Sequence, residues 1–596
     1  AQTALLFMGL INMMYRNQFM VFAGTLVLAA CAGPGAAPSE ETNPSTATQQ
    51  PNQLVAKPAS PKAKPNAEAK RIAEDAAIER RIRSMAHYAA ATAAMERGQR
   101  AVAIEEFEQA ALADPANEKI VLEVVRMLLA QKKFDKVLAL LVKATANPNA
   151  SAKTHALLAV AYAQKGKLDL ARIAAEGAIR MAPESILGYK TLIQVYQKEM
   201  KGGAKRLPQI RKTLDQAFAQ KKPSTTFQVE LALMAGGYLQ LDKTDVEEFK
   251  PRIRKLLDAA WASKPTIPLM IEQIGRGYRM INARKEAATV MQELLKALPG
   301  NPAVLMQLAQ DLIIAGKIKE GRMHLEAILK KNPNSWRAHQ LLAAVAMDED
   351  EFATAAKHYR SAIKLNPRIE QLYFDLISAL LSDDKSDEGQ KVMDLVKRKF
   401  KPNFLQAYFA AMIALEKRDF NQALDDLRRA ESIAKNADPT RLNHILYFQL
   451  GTTAERAGNF MVAEKYFRLS IEKNPEYATA LNYLGYMWAD RGEKLDEAIV
   501  MIDRALKLSP DNGAYLDSRA WALFKQGKLK EALTWQLKAL KHTEGDDAEI
   551  FLHLGEMYLK LKQPKKAREF LEKAAAIKDT EPDVKQRIQD VLKQLP

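Results

Sequence analysis

The sequence predicts an all-α solenoid, and three observations carry that prediction. From about Ala67 onward the apolar residues recur at helical spacing, broken by short turns, with no alternating strand pattern. Prolines return at a mean interval of about 36 residues, from Pro115 and Pro148 through Pro333, Pro367 and Pro475 to Pro510, and a fixed period of that size marks stacked helical units. Alanine and leucine are abundant while aromatics are 7% of the 596 residues, which favours helix over sheet. The apolar fraction of 48% and charged fraction of 27% exclude wholesale disorder and a polytopic membrane protein. A single cysteine excludes a disulfide framework and any zinc site needing two thiolates.

Residues 1–30 contain no Asp or Glu; Arg16 precedes an apolar run from Phe19 to Ala30. As a helix that run spans about 18 Å, short of the roughly 30 Å hydrocarbon core, so it reads as the apolar region of a signal peptide. A start at Met13 or Met14 would give it a more usual positive flank. The sole cysteine follows as Leu28-Ala29-Ala30-Cys31, which resembles the lipobox of bacterial lipoproteins. The resemblance implies that Cys31 is acylated and becomes the mature N-terminus. Ala32 rather than Asp at the next place implies outer-membrane sorting in a Gram-negative bacterium, and several acyl chains make a durable anchor.

Residues 31–67 hold seven prolines, from Pro34 to Pro65, among Ala, Ser, Thr and Gln, and form a semi-extended tether rather than a core. An N-terminal helix is expected over 68–84, then an array of about 13–14 helix pairs over 85–580, wound as a right-handed superhelix without independent domains. Val584, Ile588, Val591, Leu592 and Leu595 mark one apolar face of a last helix, 581–596, that caps the array. The intervals ending at Pro223 and Pro265 are long, with Lys201-Gly202-Gly203 and Lys243-Thr244-Asp245 inserted; the unit ending at Pro439 is long too.

The units share content as well as length. One reads Leu481-Asn482-Tyr483-Leu484-Gly485-Tyr486-Met487-Trp488, then Gly492, Ala498, Ala505 and Pro510. The next repeats this with Leu516, Ala520-Trp521, Gly527, Ala532 and Ala539. Small residues such as Ala159, Gly451 and Ala463 let paired helices approach to about 8–10 Å, large ones such as Tyr162 and Phe467 fill the space between pairs, and proline stops the second helix. This pattern resembles the tetratricopeptide repeat (TPR).

Motifs of chemistry are missing. No phosphate-binding Gly loop, H-E-x-x-H or G-x-S-x-G occurs. His324, His339 and His358 are the densest histidines, but none are spaced as helical metal ligands, so no metal and no cofactor are expected. Three S-x-x-K strings, at Ser361, Ser432 and Ser470, all lie near the end of a second helix, where lysine suits the helix dipole. Asp348–Glu351 and Asp383–Glu388 read as solvated turns. The excess of 88 Lys and Arg over 71 Asp and Glu gives a charge of +17, with clusters at Lys205–Lys255 and Lys397–Lys401. For an exported lipoprotein these point to an acidic protein, lipid or wall polymer rather than to nucleic acid.

The TPR resemblance implies a concave groove lined by first helices and a non-catalytic adaptor for protein partners, here facing the periplasm. The long array and tether look like the large TPR lipoproteins that partner a periplasmic carboxyl-terminal processing protease and enable it to degrade cell-wall hydrolases. An alternative is an envelope assembly factor for pilus secretins or outer-membrane proteins; a remote one is a hydrolase in the divergent repeats 184–265. The Lys and Asn of the TPR carboxylate clamp are not evident. From the repeat pattern the groove side should include Asn482, Tyr486, Asp517, Trp521, Phe524, Lys525, Glu556 and Lys560. Tyr486 and Trp521 are expected there as exposed hot spots, with packing beneath the neighbouring repeat as the alternative.

Overall fold

The computed structural model describes residues 67–595 apart from 204, 544 and 579. The signal segment, Cys31 and the tether up to residue 66 lie outside the described residues. All regular structure among the described residues is helical, and the helices follow one another as antiparallel pairs. Helix Ala67–Glu96 runs through the expected boundary at 84 without a break, because no Gly or Pro interrupts it before Gly98, and it pairs with Arg100–Ala113. The last pair is Ala548–Lys560 with Pro564–Ala576, and Pro582–Lys593 closes the chain.

Each pair is set by one small residue and one turn. A Cβ on Gly485 would stand 2.6 Å from Ile502 Cγ1 and 2.8 Å from the Ala498 carbonyl oxygen, so only glycine allows helices Ala478–Arg491 and Leu495–Leu508 their closeness. The turn inside a pair needs one left-handed residue. Gly458 and Gly527 supply it at no steric cost, whereas Arg418 and Lys562 adopt φ +58° at the same place, which costs about 1–2 kcal/mol. Side-chain caps start many first helices: Asn443 accepts from the Ile445 and Leu446 amides, and Asn512 from Tyr515.

Contacts divide the array into two compact units, which part between His324 and Leu325. The N-terminal unit is built around Leu128, Leu140, Leu141, Tyr189, Ile210, Leu214 and Phe249, all fully buried. The two inserted segments lie at the turns after Ile186–Lys201 and Thr225–Leu241, and helices there reach 16 and 17 residues. The arginines of the basic cluster are used internally. Arg211 pairs with Asp245 and Glu248, Arg252 with Asp215 at 2.7 Å, and Arg254 with Glu286, each tying one repeat to the next. Asp311, fully buried, sits between Arg279 and Arg284 at 3.1 Å each. Burial pushes its carboxyl up and the two guanidinium groups pull it back without fully cancelling that rise.

In the C-terminal unit Tyr373, Phe374, Phe467, Trp488 and Trp521 are the large fully buried side chains. The last helix buries Ile588 and Val591 against the final pair. Just before that helix, Glu581 accepts a hydrogen bond at 2.9 Å from Arg418, which lies 163 residues earlier in the turn after helix Phe404–Glu416. This bond brings the end of the unit against the turn after helix Phe404–Glu416.

Candidate functional site: the concave groove of the C-terminal unit

Successive first helices place equivalent residues along the groove. Tyr486, Trp521 and Glu556 each follow the small residue of their helix (Gly485, Ala520 and Gly555), while Tyr483, Ser518 and His553 each stand two places before it. The second set meets the first across the seam between repeats. The ring of His553 stacks on Trp521 at 4.0 Å between centroids. In the same way Arg587, on the last helix, grips Glu556 with two bonds of 2.7 and 3.0 Å.

Trp521 is the centre of this arrangement. It is fully buried, stacked on Phe524 at 5.0 Å, and covered by the guanidinium of Arg587 at 4.7 Å and the ammonium of Lys525 at 4.9 Å. Its indole N–H donates to Asp490 at 3.0 Å, and Lys525 donates to the Asp490 carbonyl at 2.6 Å. Asp517 takes the amide of Gln536 and pairs with His553 Nδ1 at 2.8 Å. Burial alone would lower the His553 pKa, but the Asp517 carboxylate outweighs it and the net shift is upward.

The expectation of an exposed Trp521 is corrected here: the indole packs beneath the next repeat, because His553 and Arg587 cover it. Asp517, Phe524, Lys525 and Glu556 gather around Trp521 as its partners. Asn482 is also buried, and Tyr486 is half-buried, 6.5 Å from the His553 ring. Lys560 is exposed and stands apart from this group. Sequence reasoning missed His553, Asp490, Arg587, Glu455 and Glu549. Asp490 holds the place in its repeat that Lys525 holds in the next, so the repeat register alone points to it. Arg587 lay on a helix read only for its apolar face.

Glu455, on helix His444–Arg456, feels the charge of Glu549, on the first turn of Ala548–Lys560. Burial among neighbouring groups pushes both up to about 7, with Arg456 pulling Glu455 back and His553 pulling Glu549 back.

Elsewhere the polar motifs resolve into structure. Ser470 donates to the His444 carbonyl and Ser361 to that of Lys357, and Asp387 pairs with Lys417 at 2.7 Å. His339 and His358 bring their Nδ1 atoms to 2.9 Å; among the described residues no three His, Cys, Asp or Glu gather as a metal site. No helix among the described residues is long and apolar enough to cross a membrane.

Stacked helix pairs around a groove define a protein-binding repeat scaffold. One tetratricopeptide repeat family model matches residues 88–152, 306–368, 448–499 and 489–546, and a second matches 152–185 and 548–580. The chain is a tetratricopeptide-repeat protein. It is 31% identical over 221 residues to the TPR repeat-containing protein PA4667 of Pseudomonas aeruginosa, covering 37% of this chain and 36% of that one. It is 22% identical over 351 residues to the cellulose synthase operon protein C of Pseudomonas fluorescens, covering 56% of this chain and 24% of that one. The chain thus spans well under two thirds of either relative. A solved tetratricopeptide repeat protein from Parabacteroides merdae is 18% identical with a TM-score of 0.37, over 44% of this chain and 98% of that one.

Proposed function

We propose that this protein is a non-catalytic adaptor of the bacterial envelope, anchored at the outer membrane through Cys31 and binding periplasmic protein partners in the groove of its C-terminal unit. The observation that carries the adaptor reading is the repeat architecture itself, in which stacked helix pairs carry residues of successive first helices in register along the array. The anchoring half rests on Leu28-Ala29-Ala30-Cys31 and on the proline-rich tether behind it. Within this reading the partner is a carboxyl-terminal processing protease, which the adaptor supplies with cell-wall hydrolases; similarity to the large TPR lipoproteins supports that assignment.

Capture on the full chain from envelope extracts, followed by mass spectrometry, tests the adaptor reading. A protease and cell-wall hydrolases recovered together are expected, and hydrolase breakdown in vitro should need both proteins. Degradation by this chain alone would replace the adaptor with an enzyme. Replacing Cys31 with Ala should release the protein from the outer-membrane fraction, and unchanged fractionation would remove the anchor from the proposal.

A further inference from the structure

The fold brings together two histidines that no sequence motif links. His339 stands on first helix Trp336–Asp348 and His358 on its paired second helix Phe352–Leu365. Their Nδ1 atoms face each other at 2.9 Å, with ring centroids 5.2 Å apart. Other helix pairs fill the same place, also 19 residues apart along the chain, with partners that satisfy each other. His87 meets Glu106 there at 2.7 Å, and Tyr447 stacks on Tyr466 at 6.3 Å between centroids. Opposite charge settles the first and ring contact the second. Two neutral imidazoles differ from both, because each carries a nitrogen lone pair and only one of the facing nitrogens can donate.

The outer nitrogen of His339 fixes which of its nitrogens carries the lone pair. Nε2 lies 3.2 Å from the Pro333 carbonyl, which only accepts, so Nε2 bears the hydrogen and Nδ1 the lone pair. The turn that presents this carbonyl is itself held, since Asn332 accepts from the Asn334 amide and Ser335 from the Ala338 amide. A histidine that binds metal through one nitrogen commonly donates from the other to a backbone carbonyl in this way. The spacing fits as well. Two imidazole nitrogens about 2.0–2.1 Å from an ion and at right angles stand about 2.9 Å apart, whereas a tetrahedral angle needs about 3.3–3.4 Å. The observed separation is the right-angle one. Both rings are half-buried, so solvent reaches them.

We propose that His339 and His358 form a two-nitrogen site for a divalent transition-metal ion of square-planar or tetragonal preference, copper(II) before nickel(II), with water in its other positions. The site goes beyond the adaptor reading and does not depend on it. Without the ion, His358 donates its Nδ1 hydrogen to His339 Nδ1. On binding, that hydrogen leaves Nδ1 for water and His358 Nε2 takes one from water, so both Nδ1 lone pairs face the ion and no net proton is released. Copper(II) heads the affinity order of divalent ions for nitrogen ligands. Donors from the two helices of one pair make the bound ion a brace across that pair, and a site with only two protein ligands releases it again.

Calorimetric titration of the full chain with copper sulfate, in a glycine buffer that holds copper away from single histidines, tests the site. Copper affinity should fall at least tenfold in His339→Ala and in His358→Phe, which keeps a ring but no nitrogen. His87→Ala, at the matching place with a carboxylate partner, should leave it unchanged. Electron paramagnetic resonance of the copper-loaded wild type should show two imidazole nitrogens on one ion, and copper should raise the Tm of the wild type alone. Melting curves without metal check that the variants fold, and the wild-type spectrum decides the matter if they do not. No copper site in the wild type, affinity kept by both variants, an equal loss from His87→Ala, or a spectrum with a single imidazole overturns the proposal. Partner capture from envelope extracts needs no copper, so the adaptor reading and this site fail separately.

Discussion

Two adjoining stretches of one groove differ in how their polar groups are used. Around Trp521 every carboxylate has a partner: Asp490 takes the indole N–H, Asp517 the imidazole and Glu556 the guanidinium of Arg587. Around Tyr486 the equivalent places hold Asn482 with a bare carbonyl oxygen and Ser518 turned to its own backbone, and the charge of Glu549 reaches the ring. The same repeat frame supplies both, and what separates them is the side chain two places before each small residue. A long or ring-bearing group there closes the seat; serine leaves it open. Saturated polar groups hold a fold together, and unsaturated ones at equivalent places are where a second molecule has something to gain.

The largest expected effect is at the closed seat. Trp521→Ala should destabilise the C-terminal unit by about 3–5 kcal/mol, read by urea denaturation, since it opens a cavity beneath two stacked cations. Tyr486→Ala at the open seat should cost about 1 kcal/mol, as the ring is only half-buried. Equal losses from the two would erase the contrast. Between them, Arg587→Ala should cost about 1–3 kcal/mol, because it leaves Glu556 unpaired and uncovers the indole.

Acidity sharpens the contrast further. Glu455 and Glu549 titrate near 7 in the folded chain against an ordinary 4.5, so between those values the folded state holds protons the unfolded state has lost. Their effect is that stability falls as pH rises from about 4.5 to about 7 and is level above it. His553, whose pKa is raised, acts in the same direction as pH climbs through its folded value. Calorimetry should give a higher Tm at pH 5.5 than at pH 8, and Glu455→Gln with Glu549→Gln should flatten most of that slope while raising the Tm at pH 8. A slope unchanged by the pair would mean that neither carboxylate is strained in the folded state. The smallest effect belongs to Arg418→Ala, which should change stability by less than about 1 kcal/mol, since the pair with Glu581 is largely exposed.

The architecture was legible because its signals are local and repeated. A small residue, a turn residue and a proline recur in register, and each of them fixes one contact or one stop. The break between units at Leu325 leaves no comparable mark in the sequence, since the helical pattern runs through it. In the groove, the register put Asn482, Asp517, Trp521 and Glu556 near one another, which was readable from the spacing alone. What spacing could not supply was the neighbour across the seam. Whether Trp521 is bare or covered depends on His553 and on Arg587, 32 and 66 residues further along the chain. The fate of the basic cluster was hidden for the same reason: Arg211, Arg252 and Arg254 meet their carboxylates 32–37 residues away.

The bond between Arg418 and Glu581 ties two distant turns of one coil. A spring whose ends are tied resists stretching until the tie gives, and this tie is a single ion pair, exposed enough to be worth less than about 1 kcal/mol. The tie therefore yields under a modest pull on the C-terminal unit. Because the curvature of a solenoid is shared over all its repeats, a small rotation at each seam opens the coil as a whole without any one helix pair coming apart.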